Sequence, residues 1–250
     1  MLDPDEVKRA VRGGRTLGAP TRLVCIENTH NAAGGTVAPI VNLVAVQDVA
    51  RAAGIPVHLD GARLFNAAAY LDVPIRALCA HTDSVFFALS KGLGAPVGAV
   101  LAGDRAFMQK ARRAAKMLGG AMRQAGVLAA PAIVALRDPY TRHLRDHALA
   151  NRLARGLAAI DETLVDVARV QTNIVNCFVD AFADDAADIV RALGRRRVQV
   201  NAKRTKIRFV THSDVDDAAV DAAVGAFAEV ISSMPKVNRS KNSGQPHAHF

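Results

Sequence analysis

Two side chains in this sequence have the types and settings that nucleophilic chemistry needs. Lys91 follows the apolar run Val85-Phe86-Phe87-Ala88-Leu89 and precedes a turn at Gly92 and Gly94. Lysine is seldom buried without a partner. An amine whose pKa is depressed at the end of an apolar strand is a nucleophile able to form a Schiff base. The plainer reading of this stretch alone is that Lys91 marks a strand end and points into water. Asp60 closes a second such stretch, Ile55-Pro56-Val57-His58-Leu59-Asp60, which runs through Gly61 into a helix begun by Arg63. Two residues at the ends of parallel strands open on one edge of a sheet, where α/β folds place their ligands. A carboxylate beneath a ring nitrogen and a Schiff-base lysine are the two protein groups that pyridoxal phosphate (PLP) requires.

The elements that must position these residues follow from periodicity. Residues 22–26, a helix over 39–53 and residues 57–60 form a β-α-β unit, expected to be parallel and right-handed. The helix places Leu43, Val46, Val49, Ala50 and Ala53 on one face. Ahead of it, Asp3 caps a helix running to about Arg12, with Pro4 in its first turn and Glu6 in the capping-box place, and Gly13-Gly14 stops it. Residues 85–89 are a buried strand, and 96–102 a strand joined to it by the lysine turn. Residues 104–118 form a basic helix carrying Arg105, Lys110, Arg112, Arg113 and Lys116. The Gly119-Gly120-Ala121-Met122-Arg123 that follows is either a helix C-cap or, with Lys116 and Arg123, a source of charge for a phosphate. Residues 131–160 read as one long charged helix leading into a smaller domain. On it His143 and His147 stand four apart beside Arg142 and Arg145, a solvated face without a third metal ligand. Strands are expected at 165–170, 174–179, 198–200 and 206–210, with helices at 186–193 and 216–231. The domains are then 1–135, 136–234 and a tail, 235–250, of disordered composition.

Bulk properties exclude several classes. The chain has 250 residues, half of them hydrophobic and 4% aromatic, enough for a substantial core built on alanine, valine and leucine. Its formal charge of +9 is spread along the chain with no nucleic-acid motif, which favours a solvated surface over a polyanion site. Glycines at 92, 94 and 98 match neither a dinucleotide nor a phosphate-loop pattern. Cys25, Cys79 and Cys177 are an odd number without a C-x-x-C pair, which fits a reducing compartment better than a disulfide scaffold or a zinc site. No N-terminal signal is visible, and the longest apolar run, 125–136, is too short to span a bilayer. These features describe a soluble, cytoplasmic protein.

Several motifs resemble one family. His58-Leu59-Asp60-Gly61-Ala62-Arg63 closely resembles the aspartate motif of PLP-dependent threonine aldolases, and Leu89-Ser90-Lys91-Gly92-Leu93-Gly94-Ala95-Pro96-Val97-Gly98 their Schiff-base segment. Glu27-Asn28-Thr29-His30, a turn by its chemistry alone, is similar to a stretch of the same enzymes. So is Lys116-Met117-Leu118-Gly119-Gly120-Ala121-Met122-Arg123-Gln124-Ala125-Gly126, where family members carry glycine in place of Ala121. Ile207-Arg208-Phe209-Val210-Thr211-His212 looks like their substrate-gripping strand, although alternation alone makes Arg208 a half-exposed strand residue.

The resemblance runs from about residue 27 to 230. It implies an α/β fold: the mostly parallel sheet of a PLP-dependent transferase large domain, incomplete at the N-terminus, followed by a small α+β C-terminal domain. It implies PLP attached to Lys91, with Asp60 at the ring nitrogen and Ser90, Lys116 and Arg123 also binding the cofactor. Arg63 and Arg208 would hold the substrate carboxylate, His30 would line the site, and no metal would be used. The implied reaction cleaves the Cα–Cβ bond of a β-hydroxy amino acid, threonine giving glycine and acetaldehyde, in a homotetramer with shared sites. A related β-eliminating lyase, a hydroxymethyltransferase or a non-catalytic remnant are the alternatives. Family members carry a glycine-threonine phosphate loop and a ring-stacking histidine ahead of this region, and residues 1–27 match neither. The expectation is therefore a shortened chain whose activity is weak unless another polypeptide supplies that part.

Overall fold

The structure is a computed structural model that describes residues 2–13 and 18–234; Gly14 and the 235–250 tail lie outside the described residues. The described residues divide into two compact units, those up to His30 with 37–143, and residues 31–36 with those from Leu144 on.

The first unit begins with α1 (Pro4–Ala10), capped by Asp3, whose carboxylate accepts from the Asp5 N–H at 2.8 Å. Then come β1 (Val24–Glu27), α2 (Ile40–Ala52), β2 (Val57–Gly61), α3 (Leu64–Leu71), the short α4 (Ile75–Cys79), β3 (Ser84–Ala88) and β4 (Ala99–Gly103). The strands form one sheet in the order β1-β2-β3-β4, the first three parallel and β4 antiparallel to β3. The expected α/β architecture with a mostly parallel sheet is the one observed. Val24, Ile26, Val57 and Leu59 alternate onto one face and pack with Leu43, Val46 and Ala50 of α2, Leu64 of α3 and Leu78 of α4. Each fully buried leucine there contributes about 1.5–3 kcal/mol. The opposite face, lined by Cys25, Glu27, His58, Asp60 and Phe86, is not sealed: Ser84 is buried in it but these neighbours are half-buried or exposed. Buried parallel sheets usually read as continuous apolar runs; the polar alternation in β2 reflects this half-open face.

The rest of the unit is α5 (Arg105–Met117), α6 (Gly126–Ala135) and the first turn of α7 (Pro139–Ile160). Residues 131–160 are thus two helices and not the single one expected. Pro139 has no N–H to continue a helix, and its ring turns Asp138 away from helical geometry. It suits a first helical position instead, and the Asp138 carboxylate accepts from the Thr141 N–H at 3.3 Å.

The second unit holds the remainder of α7, β5 (Ile174–Phe178), α8 (Ala187–Arg195), β6 (Asn201–Lys203), β7 (Lys206–Val210) and α9 (Asp217–Ser232). The strands form an antiparallel sheet, β5-β7-β6. Leu153 and Leu157 of α7, Leu193 of α8 and Phe227 of α9 close its core against Val175, Ile207 and Phe209. Residues 165–170 are not a strand: the Asp166 carboxylate caps a 3₁₀ turn, Val167–Arg169, with Val165 buried in the core and Val167 and Val170 packed against it. Nor are 198–200, because the Val198 N–H donates to Leu193 O and closes the end of α8, which moves the strand on to Asn201. Residues 31–36 complete this unit: Gly35, at φ +74°, lies so near β5 that an added Cβ would sit 2.5 Å from Thr172 Oγ1, which donates to Gly35 O at 2.7 Å. No helix among the described residues is long and apolar enough to cross a membrane.

The three cysteines are free. Cys25 is exposed, burial raises the Cys79 thiol, and burial pushes Cys177 up to about 12. A thiol reagent at neutral pH should therefore label Cys25 first, Cys79 more slowly and Cys177 only on unfolding. Peptide mass mapping over time checks this order, and early labelling of Cys177 would contradict the fold of the second unit.

Candidate active site

The site is built on the register of two parallel strands. Asp60 of β2 stands opposite Phe86 of β3, so both strands end at the same edge of the sheet. Asp60 lies one residue from the end of β2, and Lys91 follows the end of β3 through Leu89 and Ser90. The turn carrying the lysine is tied by Leu89 N–H to Gly98 O (3.0 Å), Ala95 N–H to Leu89 O (3.0 Å) and Gly94 N–H to Lys91 O (2.8 Å). Leu89, Leu93 and Ala95 point inward and pack with Phe65 and Ala132, while Ser90 and Lys91 are exposed. The apolar residues anchor the turn and the lysine is displayed outward. The buried amine considered from sequence is not what the chain presents.

Asp60 is half-buried, and its Oδ1 accepts from the Ala62 N–H at 3.0 Å, which fixes the carboxylate at the strand end. Arg63, half-buried, occupies the N-cap of α3. Across β2 on β1, Glu27 is the register partner of Asp60, and the Asn28 N–H extends the ladder to Asp60 O at 3.0 Å. The Asn28 side chain, fully buried, donates to Ala38 O (3.0 Å) and accepts from Ala38 N–H (3.1 Å). It closes the loop between β1 and α2 and is structural, as the turn reading anticipated. His30 remains accessible, its side chain 45% exposed with Nε2 at 3.7 Å from Glu27 Oε2.

Lys116 and Arg123 flank the C-terminal cap of α5, where Gly119 takes φ +78° and the Gly120 N–H bonds Ala115 O at 2.7 Å. Both side chains are exposed, and among the described residues no hydrogen bond or ion pair ties them to the Asp60–Lys91 edge. Arg208 belongs to the second unit, on β7 opposite Asn176 of β5 and Asn201 of β6. Its Nε is buried with no hydrogen-bond partner among the described residues, and an unpaired buried guanidinium N–H is costly.

Sequence reasoning missed the first turn of α7. His143 is 1% exposed and not on a solvated face. Its ring stacks on Phe65, with centroids 6.3 Å apart at 26°, and it bonds Pro139 O, so Nδ1 is the donor and carries the proton. Arg142 donates to Leu93 O, and the Tyr140 hydroxyl accepts from the Ile75 N–H at 3.2 Å. Pro139 was the available signal: a helix starting there puts 140–143 in its first turn, at an end that packs, whereas a helix continuing from 131 leaves them on a long charged surface.

The chain matches the beta-eliminating lyase family over residues 1–180. It is 36% identical over 247 residues to low-specificity L-threonine aldolase 1 of Arabidopsis thaliana, covering 96% of this chain and 68% of that protein. It is 37% identical over 214 residues to low specificity L-threonine aldolase of Escherichia coli (strain K12), covering 86% of this chain and 62% of that protein. In fold it is similar to a structure of SPT with PLP internal aldimine, with a TM-score of 0.69 at 19% identity over 92% of this chain and 59% of that one. The chain thus spans about two thirds of the length of the curated relatives.

Burial, partly opposed by the bond to Pro139, holds His143 below its ordinary 6.5. As pH falls from 6.5, the unfolded chain takes up this proton before the folded one, so the stability tied to the neutral ring is whole above 6.5 and is lost through the lowered folded value. The stability difference between the parent and His143→Leu, measured by urea titration, should be flat above about pH 6.5 and shrink below it. A difference constant from pH 8 to 5 would contradict a buried neutral imidazole.

Proposed function

The chain belongs to the beta-eliminating lyase family, and from that premise we propose that it is a PLP-dependent lyase cleaving the Cα–Cβ bond of a β-hydroxy amino acid, with threonine yielding glycine and acetaldehyde. The observation that carries the proposal is the β2–β3 register, which sets Asp60 and the lysine turn at one carboxyl edge of a parallel sheet. The residues suit the coenzyme: a carboxylate pre-oriented by a backbone N–H, an accessible amine on an anchored turn, and in the second unit a guanidinium with a buried unsatisfied N–H.

When bound, PLP supplies an electron sink for the charge left on the substrate α-carbon. Lys91 is the amine that would hold the coenzyme, and Asp60 is the carboxylate that would keep a proton at its ring nitrogen. Ser90 would contact the coenzyme, and Lys116 or Arg123 would help hold its phosphate, a cation being suited to a dianion. Arg63 and Arg208 grip the substrate carboxylate with planar forks, and a fixed carboxylate selects which bond at the α-carbon breaks. His30 would line the site, accessible beside Glu27. Residues 1–135 serve as the cofactor-binding part and 136–234 as the smaller C-terminal part. Met117, Leu118, Met122, Val127, Ile133 and Val134 are exposed around α5 and α6. Exposed apolar side chains gathered on two successive helices suit an interaction surface, which is in keeping with a homotetramer with shared sites. The free cysteines suit a cytoplasmic location.

The test is spectroscopic and chemical. Purified chain mixed with PLP should gain a visible absorption band that Lys91→Ala abolishes, and threonine should yield glycine and acetaldehyde. Folded protein without the band would overturn the proposal, and pyruvate from serine or cysteine in place of glycine would turn it towards β-elimination. Asp60→Asn removes a charged hydrogen bond of about 1.5–3 kcal/mol and should lower turnover roughly 10- to 150-fold while leaving the band present.

A further inference from the structure

Resting on the PLP reading, we propose that Arg142 and His143, on the first turn of α7, are positioning residues for Lys91. The turn from Leu89 to Gly98 contains Gly92, Gly94 and Gly98, the latter two at φ +75° and +111°. Glycine-rich backbone loses more entropy on ordering than any other, and the direction of the lysine side chain follows that of the backbone beneath it. Internal bonds tie Leu89 to Gly98 and Ala95 to Leu89 at the ends of the turn, and Gly94 N–H to Lys91 O across its middle. That middle is also held from outside, by α7.

Three contacts make that hold. Arg142 donates to Leu93 O, two residues beyond the lysine, and a guanidinium to a carbonyl is a charge-assisted bond. The same guanidinium lies against Gly94, where an added Cβ would be 3.2 Å from Nη1. The His143 ring closes over Gly92, leaving so little room that an added Cβ would lie 2.6 Å from Nε2 and 3.1 Å from Cδ2. The ring cannot yield freely, because its other nitrogen is bonded to Pro139 O and its face rests on Phe65. The helix start is itself tied down, with the Tyr140 hydroxyl receiving the Ile75 N–H. The glycine that frees the turn and the histidine that fills the freed space therefore act as one device, and it fixes the backbone from which Lys91 projects.

The experiment compares Arg142→Ala, Arg142→Lys, Gly92→Ala, His143→Ala and the double variant Gly92→Ala/His143→Ala with Leu157→Ala, a destabilising control in the core of the second unit. Without coenzyme, deuterium exchange of the 89–98 peptide should quicken in Arg142→Ala and not in the control. At saturating PLP, the share of bound coenzyme carrying the visible band should fall roughly tenfold or more in Arg142→Ala and Gly92→Ala, since a lost charged hydrogen bond is of that size. Arg142→Lys should recover part of it. The double variant should recover more than Gly92→Ala alone, because the space the new methyl needs has been opened. A general loss of folding would lower the protein that binds PLP but not the share of bound coenzyme in the band. Equal bands per bound coenzyme in parent and Arg142→Ala, or no recovery in the double variant, would overturn the proposal. Absence of the band in the parent itself would instead overturn the PLP reading, with the exchange measurement still reporting on the clamp.

Discussion

The hydrogen-bonded register between β2 and β3 is the constraint on which the rest depends. Because the strands are parallel and Asp60 faces Phe86, a carboxylate late in one strand and an amine just past the other open on a single edge. A slip of one residue would send Asp60 to the apolar face and Leu59 out of the core. Leu59 is fully buried, as are Leu43 and Val46 against which its face packs, so hydrophobic packing and site geometry enforce the same alignment. The chemistry is therefore insured by the core beneath it.

Much of this was legible in the sequence because the informative signals are local. The Leu43–Val46–Ala50 face marked a helix, Asp3 and Pro4 marked the start of α1, and the run ending at Asp60 marked β2. The likeness to threonine aldolases supplied what periodicity does not, namely which polar residues to watch. Legibility ended where a residue's fate was decided by something distant in sequence. His143 looked solvated because its neighbours are charged, yet it is buried by Gly92 and Phe65, far back in the chain. The valines near 167 and 198 carry β-branched alternation, but an aspartate cap and a helix end took their backbone groups first. Pro139 was an overlooked local signal, and it changed the meaning of the four residues after it.

Lys91 shows how the fold divides labour within one turn. Leucines 89 and 93 go inward and hold position, while the lysine between them goes outward and stays accessible. The same division recurs at the end of β1, where the Asn28 amide is spent entirely on closing a loop and His30, two residues on, remains open to solvent. In both places a buried residue holds the backbone while its neighbour stays open to solvent.

The interleaving of the two units has a consequence for how the molecule is made. Residues 31–36 belong with 144–234, and Gly35 nests against Thr172 through a contact that tolerates no side chain. The hexapeptide leaves the ribosome long before its partner strand exists, so the second unit cannot be completed co-translationally from its own contiguous stretch. It must wait for a non-local closure, which slows folding. No single cut in the gene releases either half intact: a fragment beginning at Leu144 would lack the piece that seats on β5, and one ending at His143 would carry that piece with nothing to seat it on.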